Sequence, residues 1–446
     1  MSCLRLFLFF LVFISPLSPT LKEQSVIVDA RAEKLIHDTL KRLCKASGRL
    51  SVPKIYFIVD RSINAFATDE AKIYIHTGLI IKFKSVSLLI AVLAHELGHI
   101  TGGHMHRLSG ELNGVNAASI IGTLLGGVGA LAGGGMEALV AGSMLGQSAA
   151  MGTFAAFSRT HEKEADAAGF RMMQKANLST EGFIETFELF KKLNAFGDIP
   201  YIQTHPTDQD RINAFKHYRE KYPDKGSIPK EWEEEFQIIQ AIFMANLLKP
   251  SEVERAYYRK DSRAAQFAKV IVYSKKGQYK QAFTKLDEML KNTPNDPYLH
   301  EMYGQFLLES GNAKAALGHL QKAVKLAPEA LSIRLLLAQA LYTSSGDNAQ
   351  EAIDQLNRIT QDDPDNVMAW LLKVGAYRKI NELDHADLAQ AEAALRTGDF
   401  HLAKKRAERA AKSSNSKVKE QAKMLLANIP EIMAARNANE VHQHCF

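Results

Sequence analysis

Hydrophobic residues near the start of the chain follow two periods, one typical of helices and one of strands. Between residues 28 and 46 they recur every three to four positions, which predicts an amphipathic helix that ends before Gly48. Its inward positions are Leu35, Ile36, Leu40 and Leu43. Residues 54–59 and 72–76 are rich in β-branched and aromatic residues, and we predict that both are strands. This part of the chain is therefore expected to form a small sheet packed against helices.

A stretch of small residues interrupts this pattern at residues 115–158. Glycine and alanine dominate it, and Glu137 is the only charged residue between Glu111 and Arg159. Its two uncharged runs of roughly 20 residues are long enough for a transmembrane hairpin. Glycine, however, stands where leucine, isoleucine and phenylalanine would favour insertion. We interpret the stretch as a hairpin or mobile flap, with peripheral membrane contact and a spanning hairpin as the alternatives.

The second half of the chain repeats with a period of 34 residues. The glycines that start successive copies are Gly277, Gly311, Gly346 (after one insertion) and Gly398. Pro294 and Pro328, which close two successive copies, keep the same spacing. The pattern resembles tetratricopeptide repeats, in which small residues let paired helices pack closely and proline ends the second helix of each pair. The resemblance implies an α-solenoid whose concave surface binds partners.

Length and charge narrow the class of protein. A chain of 446 residues is too long for a single compact core, so we expect two or three domains. The net charge of +6 is spread along the chain and gives no nucleic-acid-binding patch, which excludes nucleic acid as a partner. Arg5 followed by the apolar residues 6–14 is typical of a signal peptide, and an uncleaved anchor is the alternative.

Export would place Cys44 and Cys445 in an oxidising compartment. An even number of cysteines there permits one disulfide, which would tie the C-terminal tail to the first helix. Two free thiols are a second interpretation. A metal-binding tail made of His442, His444 and Cys445 is a third.

The most specific chemical signal is the motif His95-Glu96-Leu97-Gly98-His99. Positions i and i+4 share one face of a helix, so His95 and His99 can each present an imidazole nitrogen to one Zn²⁺. Glu96 then lies beside the metal, where it can accept and return protons. His104 and His106 follow two glycines and leave this face, so we expect them to be supporting or surface groups rather than ligands.

Two histidines leave a catalytic zinc one protein ligand short, and a carboxylate from a second helix can supply it. Glu162 and Asp166 lie in a downstream segment that can form this second helix. Together the two motifs resemble those of gluzincin metallopeptidases of the HtpX and CAAX-prenyl-protease type, whose second motif is E-x-x-A-D. The resemblance implies that Glu162 is the third zinc ligand and that Asp166 orients a ligating histidine. Glu164, the rival ligand, points about 160–200° away from Glu162 on the same helix.

A third motif, T-H-P-T-D-Q-D-R at residues 204–211, resembles the T-H-P-x-x-x-x-R segment that closes the protease domain of soluble, repeat-bearing members of this family. Pro206 favours extended backbone at His205, which suits a loop that presents the ring to the site. His205 is then either a resting ligand of the metal, which latches the site, or a catalytic group that stabilises the oxyanion. As a third, purely structural alternative, His205 caps the next helix. We place Arg211 behind the ligands as a supporting group.

The resemblance implies a mostly α fold with a small β-sheet, in which a gluzincin metalloprotease domain precedes an α-solenoid of tetratricopeptide repeats. It also implies a zinc-dependent endopeptidase, with one Zn²⁺ per chain and chaperone-like activity, in periplasmic quality control and assembly of outer-membrane β-barrel proteins. Substrates would be unfolded or misassembled outer-membrane proteins. The repeat domain would bind the β-barrel assembly machinery.

We expect five segments along the chain. They are a signal peptide (1–20), the metallopeptidase domain (21–222, with the hairpin or flap at 115–158), a helical connector (223–271), the repeats (272–415), and a C-terminal helix and tail (416–446). Two other function classes remain open: a membrane-associated CAAX-type metalloprotease and a repeat-based assembly chaperone with a mainly structural zinc site. Glu96 argues against the second, because a structural zinc site needs no base beside the metal.

Overall fold

The chain is mostly α-helical with a small sheet, as the sequence predicts. The computed structural model describes residues 12–13, 25–68, 71–104, 107, 147–194, 200–205, 209–257, 259–344 and 348–444. These residues fall into two compact units. The first holds residues 31–247 with 262–265, and the second holds the other described residues. The limits of the five segments given above remain predictions.

The first unit carries three strands and most of the helices that surround them. Its strands are β3 (Lys54–Ile58), β4 (Ala65–Ala67) and β5 (Lys72–His76). Its helices are α1 (Ala30–Ser47), α2 (Thr77–Lys82), α3 (Val86–Gly102), α4 (Gln147–Lys175), α5 (Glu181–Asn194), α6 (Pro200–Thr204), α7 (Gln209–Lys221) and α8 (Lys230–Leu247). Earlier in the chain, β1 (Val12–Phe13) and β2 (Ser25–Ile27) pair with each other antiparallel.

Strand β5 is the central strand of the sheet in this unit. It pairs parallel with β3, with Lys54 opposite Lys72, and antiparallel with β4, with Phe66 opposite Tyr74. The rings of Tyr56, Tyr74 and Phe66 stack along one face at centroid distances of 5.1 and 5.0 Å, a cross-strand contact that favours this register. Helix α3 packs beside β4, so the sheet flanks the helix that carries the first motif.

Close packing of α3 and α4 depends on small residues. Gly98 of α3 faces the backbone of Ala165 in α4, and a Cβ on Gly98 would lie 2.5 Å from the Ala165 carbonyl oxygen. Gly169 makes a similar approach to the backbone of Ala94, where a Cβ would lie 2.9 Å from the carbonyl oxygen. These glycines let the two helix backbones approach each other, and this brings the first and second motifs within contact distance.

The second unit contains the predicted solenoid. Its helices are α9 (Pro250–Tyr257), α10 (Arg263–Lys275), α11 (Tyr279–Asn292), α12 (Pro297–Glu309), α13 (Ala313–Leu326), α14 (Leu331–Thr343), α15 (Ala349–Asp362), α16 (Val367–Lys379), α17 (Leu383–Thr397), α18 (Phe400–Ala410) and α19 (Ser416–His444). Helices α11 and α13 begin 34 residues apart, and so do α12 and α14. The period read from the sequence is therefore the period of the helices.

The same type of hydrogen bond recurs in three successive repeats. Six residues after the proline of each repeat, a side-chain N–H group donates to the carbonyl oxygen of that proline. The donors are His300, Arg334 and Trp370, the acceptors are Pro294, Pro328 and Pro364, and the distances are 3.0, 2.7 and 2.7 Å, respectively. Three unlike side chains thus satisfy the equivalent backbone carbonyl, which lies in the loop between two helices.

Several predicted features lie outside the described residues. They are the signal peptide apart from residues 12–13, the hairpin or flap up to residue 146, His106, and Cys445. Cys44 is buried, and its Sγ lies 3.6 Å from the carbonyl oxygen of Ser51. Because Cys445 is outside the described residues, a disulfide between the two remains a prediction. Among the described helices, none is both long and apolar enough to cross a membrane.

Candidate metal centre

Helix α3 presents both histidines of the first motif to one point. The helix is buried along most of its length, and His95 and His99 are 1% and 8% exposed. Their rings are 4.6 Å apart, and the two Nε2 atoms are separated by 3.0 Å. The spacing of four residues therefore places both rings on one face of α3, as expected for a helix.

Helix α4 brings Glu162 to the same point. Its carboxylate lies 3.3 Å from His95 Nε2 and 3.2 Å from His99 Nε2, and the side chain is buried. Glu164, the rival ligand, lies on the exposed face of α4, where it pairs with Arg107 at 2.8 Å. Glu162 faces the histidines because α3 and α4 approach each other along Gly98 and Ala165.

His205 completes the cluster from the other side. Its Nδ1 lies 3.3 Å from His95 Nε2 and 2.9 Å from Glu162 Oε1. The residue directly follows α6, and its backbone N–H donates to the carbonyl oxygen of Tyr201 at 2.8 Å. A helical turn, rather than an extended loop, thus carries the ring. Proline restricts the residue that precedes it but leaves the N–H of that residue free for a last helical hydrogen bond.

Four ligand atoms, one each from His95, His99, Glu162 and His205, lie within 4.8 Å of one another. In a tetrahedral zinc site, ligand atoms at about 2.0–2.2 Å from the metal are about 3.3–3.6 Å apart. The contacts of 2.9–3.3 Å between the ligand atoms are close to this spacing. In the described part of the chain, no second group of histidine, cysteine, aspartate or glutamate side chains converges in this way.

Asp166 and Arg211 lie directly behind the ligands. Asp166 Oδ1 is 2.8 Å from His95 Nδ1, so the ring can donate to it through the nitrogen that faces away from the cluster. Arg211 donates two hydrogen bonds to Asp166, from Nε to Oδ2 at 2.7 Å and from Nη2 to Oδ1 at 2.8 Å. Its Nη1 also lies 3.0 Å from Glu162 Oε2. Its guanidinium stacks over the ring of Phe187 at 4.5 Å. One buried cation thus holds two buried carboxylates in place.

The electrostatics of the cluster favour a positive charge between the ligands. Burial by itself disfavours protonated histidine, yet the carboxylates of Glu162 and Asp166 raise the pKa of His95 to about 10. Burial lowers the pKa of His99 to about 3, which keeps that ring neutral with a lone pair available for coordination. Against the effect of burial, His205 and Arg211 hold the pKa of Glu162 well below its usual value. A proton or a metal cation can satisfy this arrangement.

Two buried atoms at the centre suit a further occupant. Glu96 Oε2 and His205 Nε2 have no hydrogen-bond partner among the described residues. The other carboxylate oxygen of Glu96 lies 3.4 Å from the Tyr201 hydroxyl and 3.5 Å from His205 Nε2. Burial raises the pKa of Glu96 above its usual value. The chain thus holds a bare acceptor beside the cluster, next to the residues that can hold a metal.

Three contributors were not assigned a specific role from the sequence. Tyr201 is buried against Glu96 and His205. His104 is buried, and its Nδ1 lies 3.0 Å from His99 Nδ1. His161 stacks on the His104 ring at 4.5 Å with an interplanar angle of 6°. In the sequence, His104 is marked only by the two glycines before it and His161 only by its place next to Glu162. Neither position predicts a contact with the cluster.

Comparison with known proteins identifies the family. A family model described as Peptidase family M48 matches residues 30–219, which include all the residues of the cluster. Protease HtpX of Cellvibrio japonicus is 32% identical over 212 residues, and the match covers 41% of this chain and 71% of that protein. The chain belongs to peptidase family M48.

Longer relatives in this family match most of the chain. The beta-barrel assembly-enhancing protease of Escherichia coli is 24% identical over 399 residues, which cover 85% of this chain and 75% of that protein. The protein of the same name in Yersinia pestis is 22% identical, with 84% of this chain and 78% of that protein covered. Two tetratricopeptide-repeat models match residues 267–330 and 307–373. The chain is therefore an M48 metallopeptidase with tetratricopeptide repeats.

Proposed function

We propose that this M48 peptidase is a zinc-dependent endopeptidase that acts on unfolded or misassembled outer-membrane β-barrel proteins in the periplasm. The observation that carries the catalytic part is the convergence of His95, His99 and Glu162 beside the bare carboxylate oxygen of Glu96. Support for the substrate comes from relatives named as beta-barrel assembly-enhancing proteases, which match over most of the chain.

The donor set favours zinc over other metals. Two imidazoles and one carboxylate are a usual set of protein ligands for catalytic Zn²⁺, whereas Ca²⁺ and Mg²⁺ prefer oxygen ligands throughout. His95, His99 and Glu162 would hold the ion. When bound, it supplies Lewis-acid polarisation of the scissile carbonyl and a lowered pKa of water.

Glu96 is proposed as the general base and acid. It takes the proton of the attacking water and returns it to the leaving amine. Burial raises its pKa above the usual value, which makes the carboxylate a better proton acceptor. The Tyr201 hydroxyl, 3.4 Å from Oε1, orients the carboxylate so that Oε2 remains the free acceptor.

His205 is proposed as a latch. A catalytic zinc keeps one position for water or substrate, and His205 Nδ1 lies where the fourth ligand of the cluster would be. The ring must therefore leave before a substrate carbonyl can enter. Because Thr204 ends α6 directly before it, a small displacement of that short helix would move the ring away.

The latch predicts that His205→Ala raises degradation of an unfolded substrate by the purified full chain, because the fourth position is then open continuously. If His205 were instead an oxyanion donor, the same change would lower turnover by roughly 10²–10³. His217→Ala, an exposed histidine of α7, is the control. Lower activity of His205→Ala would exclude the latch as the main role, and unchanged activity would exclude both roles.

The solenoid is proposed to bind the β-barrel assembly machinery. Tetratricopeptide arrays offer a concave surface to partners and carry no chemistry of their own. The presence of two compact units supports a division of labour in which one unit cuts and the other recruits.

Metal removal tests the catalytic proposal. Dialysis of the full chain against a chelator is expected to abolish cleavage of an unfolded β-barrel protein, and one equivalent of Zn²⁺ per chain should restore it. Circular dichroism of the metal-free protein checks that the fold survives. Cleavage that continues at the same rate without metal would refute the proposal.

A further inference from the structure

The ligand His99 has a partner on the side that faces away from the cluster. Its Nε2 faces His95 and Glu162, and its Nδ1 lies 3.0 Å from Nδ1 of His104. The two rings are nearly perpendicular, with centroids 4.9 Å apart. His104 is only 3% exposed, so this contact is shielded from water.

Two glycines allow the His104 ring to reach His99. Gly103 follows α3 in the left-handed region, with φ +61°, and turns the chain back toward the helix that it has just left. Gly102 leaves space for the ring, because a Cβ there would lie 2.2 Å from His104 Nε2. The Gly-Gly pair is thus what places His104 against its own helix.

The other side of the His104 ring is also held. Its Nε2 lies 3.2 Å from Oε2 of Glu164, which in turn accepts from Arg107 at 2.8 Å. The ring of His161 stacks flat against it. His104 is therefore held by a hydrogen bond to His99 at Nδ1, by an ion-pair contact with Glu164 at Nε2 and by a ring on one face.

These contacts allow one consistent assignment of hydrogens when each ring is neutral and carries one N–H. The negative carboxylate of Glu164, 3.2 Å from His104 Nε2, favours the tautomer with its hydrogen on that nitrogen, so Nδ1 of His104 accepts. His99 then carries its hydrogen on Nδ1, which leaves the lone pair of Nε2 pointing at the cluster. The chain of contacts runs from Glu164 through His104 to His99 without a conflict.

From this geometry we infer that His104 is a positioning residue that fixes the tautomer and ring orientation of the metal ligand His99. The inference rests on the proposed metal site. It parallels the contact between His95 and Asp166, so that each ligating histidine is held through the nitrogen that the metal would not use. Here the holding group is a histidine anchored to the surface ion pair of Glu164 and Arg107.

Metal affinity of the full chain tests this role. Zn²⁺ binding is measured by competition with a chromophoric chelator, and the absorption spectrum of the Co²⁺-loaded protein reports ligand geometry. His104→Phe keeps a ring against His161 but has no nitrogen, and His104→Leu removes both ring and nitrogen. We expect both to weaken Zn²⁺ binding by about 10–100-fold and to change the Co²⁺ spectrum.

Two further variants make the test specific. His104→Asn places an oxygen acceptor near the position of Nδ1 and should restore most of the affinity. His319→Phe removes a similar contact between two histidines, His300 and His319 at 3.0 Å, in the other unit, and should change neither readout. Glu164→Ala, at an exposed position, should give an intermediate loss of affinity and tests the same chain of contacts if the core variants fail to fold.

The outcomes separate this inference from the proposed function. If wild type bound no stoichiometric Zn²⁺, the metal centre itself would be wrong. If wild type bound it and His104→Phe, His104→Leu and Glu164→Ala bound it equally well, only the role of His104 would be refuted. Equal affinities of the asparagine and leucine variants would also refute it, because the acceptor would then not matter.

Discussion

Replacement of Glu96 by glutamine is expected to lower turnover by at least about 10²-fold while one zinc per chain remains bound. Glutamine has nearly the same size and can still accept the hydrogen bond of Tyr201, but it cannot take a proton from water. The buried carboxylate is also costly to ionise, so its replacement by a neutral amide should not destabilise the fold. Steady-state cleavage of an unfolded β-barrel protein, with metal content measured on the same sample, is the readout.

Glu188→Gln is the matched control for this prediction. Glu188 lies at the surface of α5, 3.9 Å from Lys216, and the same substitution there should leave turnover unchanged. Wild-type turnover in Glu96→Gln would contradict the proposed base. Loss of zinc from that variant would instead make Glu96 a ligand.

The same variant addresses the biological role. In a strain that lacks the protein, wild type is expected to prevent accumulation of misassembled β-barrel proteins in the envelope, and Glu96→Gln should fail to degrade them. Full complementation by Glu96→Gln would mean that the chaperone-like activity, rather than proteolysis, serves assembly.

Replacement of Arg211 by leucine is expected to destabilise the metal-free protein by about 3–5 kcal/mol, since it breaks a buried ion pair and leaves its partners unpaired. The guanidinium neutralises Asp166 and Glu162, both buried, and it lowers the pKa of each. Leucine would leave both carboxylates without this cation. Arg211→Lys keeps the charge but not the fork, so it should recover part of the loss.

The measurement must isolate the unit that holds Arg211, because a chain of two units need not unfold in one step. The chain has two tryptophans, and Trp232 lies in this unit whereas Trp370 lies in the other. In a Trp370→Phe background, the fluorescence of Trp232 during denaturant unfolding therefore reports on the relevant unit.

Arg219→Leu is the control for the ion pair. Arg219 lies on the same helix, α7, but pairs with Glu181 at the surface at 3.3 Å, where an ion pair contributes about 0–1 kcal/mol. A difference of less than about 1 kcal/mol between Arg211→Leu and wild type would contradict the predicted role of Arg211.

Much of the local structure follows from the sequence. Hydrophobic periodicity predicted the first helix and the strands at residues 54–59 and 72–76, and these elements are present as α1, β3 and β5. The spacing of His95 and His99 on a helix is enough to place both rings on one face, because the helical repeat alone sets that geometry. The 34-residue period predicted the solenoid for the same reason, since each repeat contacts mainly its neighbours.

The completed site is decided by tertiary packing. Glu162, His205 and Arg211 come from α4, the end of α6 and α7, and only the docking of these elements around α3 brings the side chains within 2.7–3.3 Å of their partners. The sequence motifs suggested these residues but left open whether His205 faces a metal position or an oxyanion. Its place as the fourth member of the cluster depends on where α6 packs.

His104 shows the limit most clearly. In the sequence it follows two glycines and leaves the face of the helix, so no helical period relates it to His99. In the folded chain, the left-handed turn at Gly103 reverses its direction, and α4 supplies Glu164 and His161 around the ring. A periodic pattern fixes neighbours along one helix. Contacts made across a chain reversal or between helices depend on the packing of backbones, which is set by the space that residues such as Gly98 and Gly102 leave open.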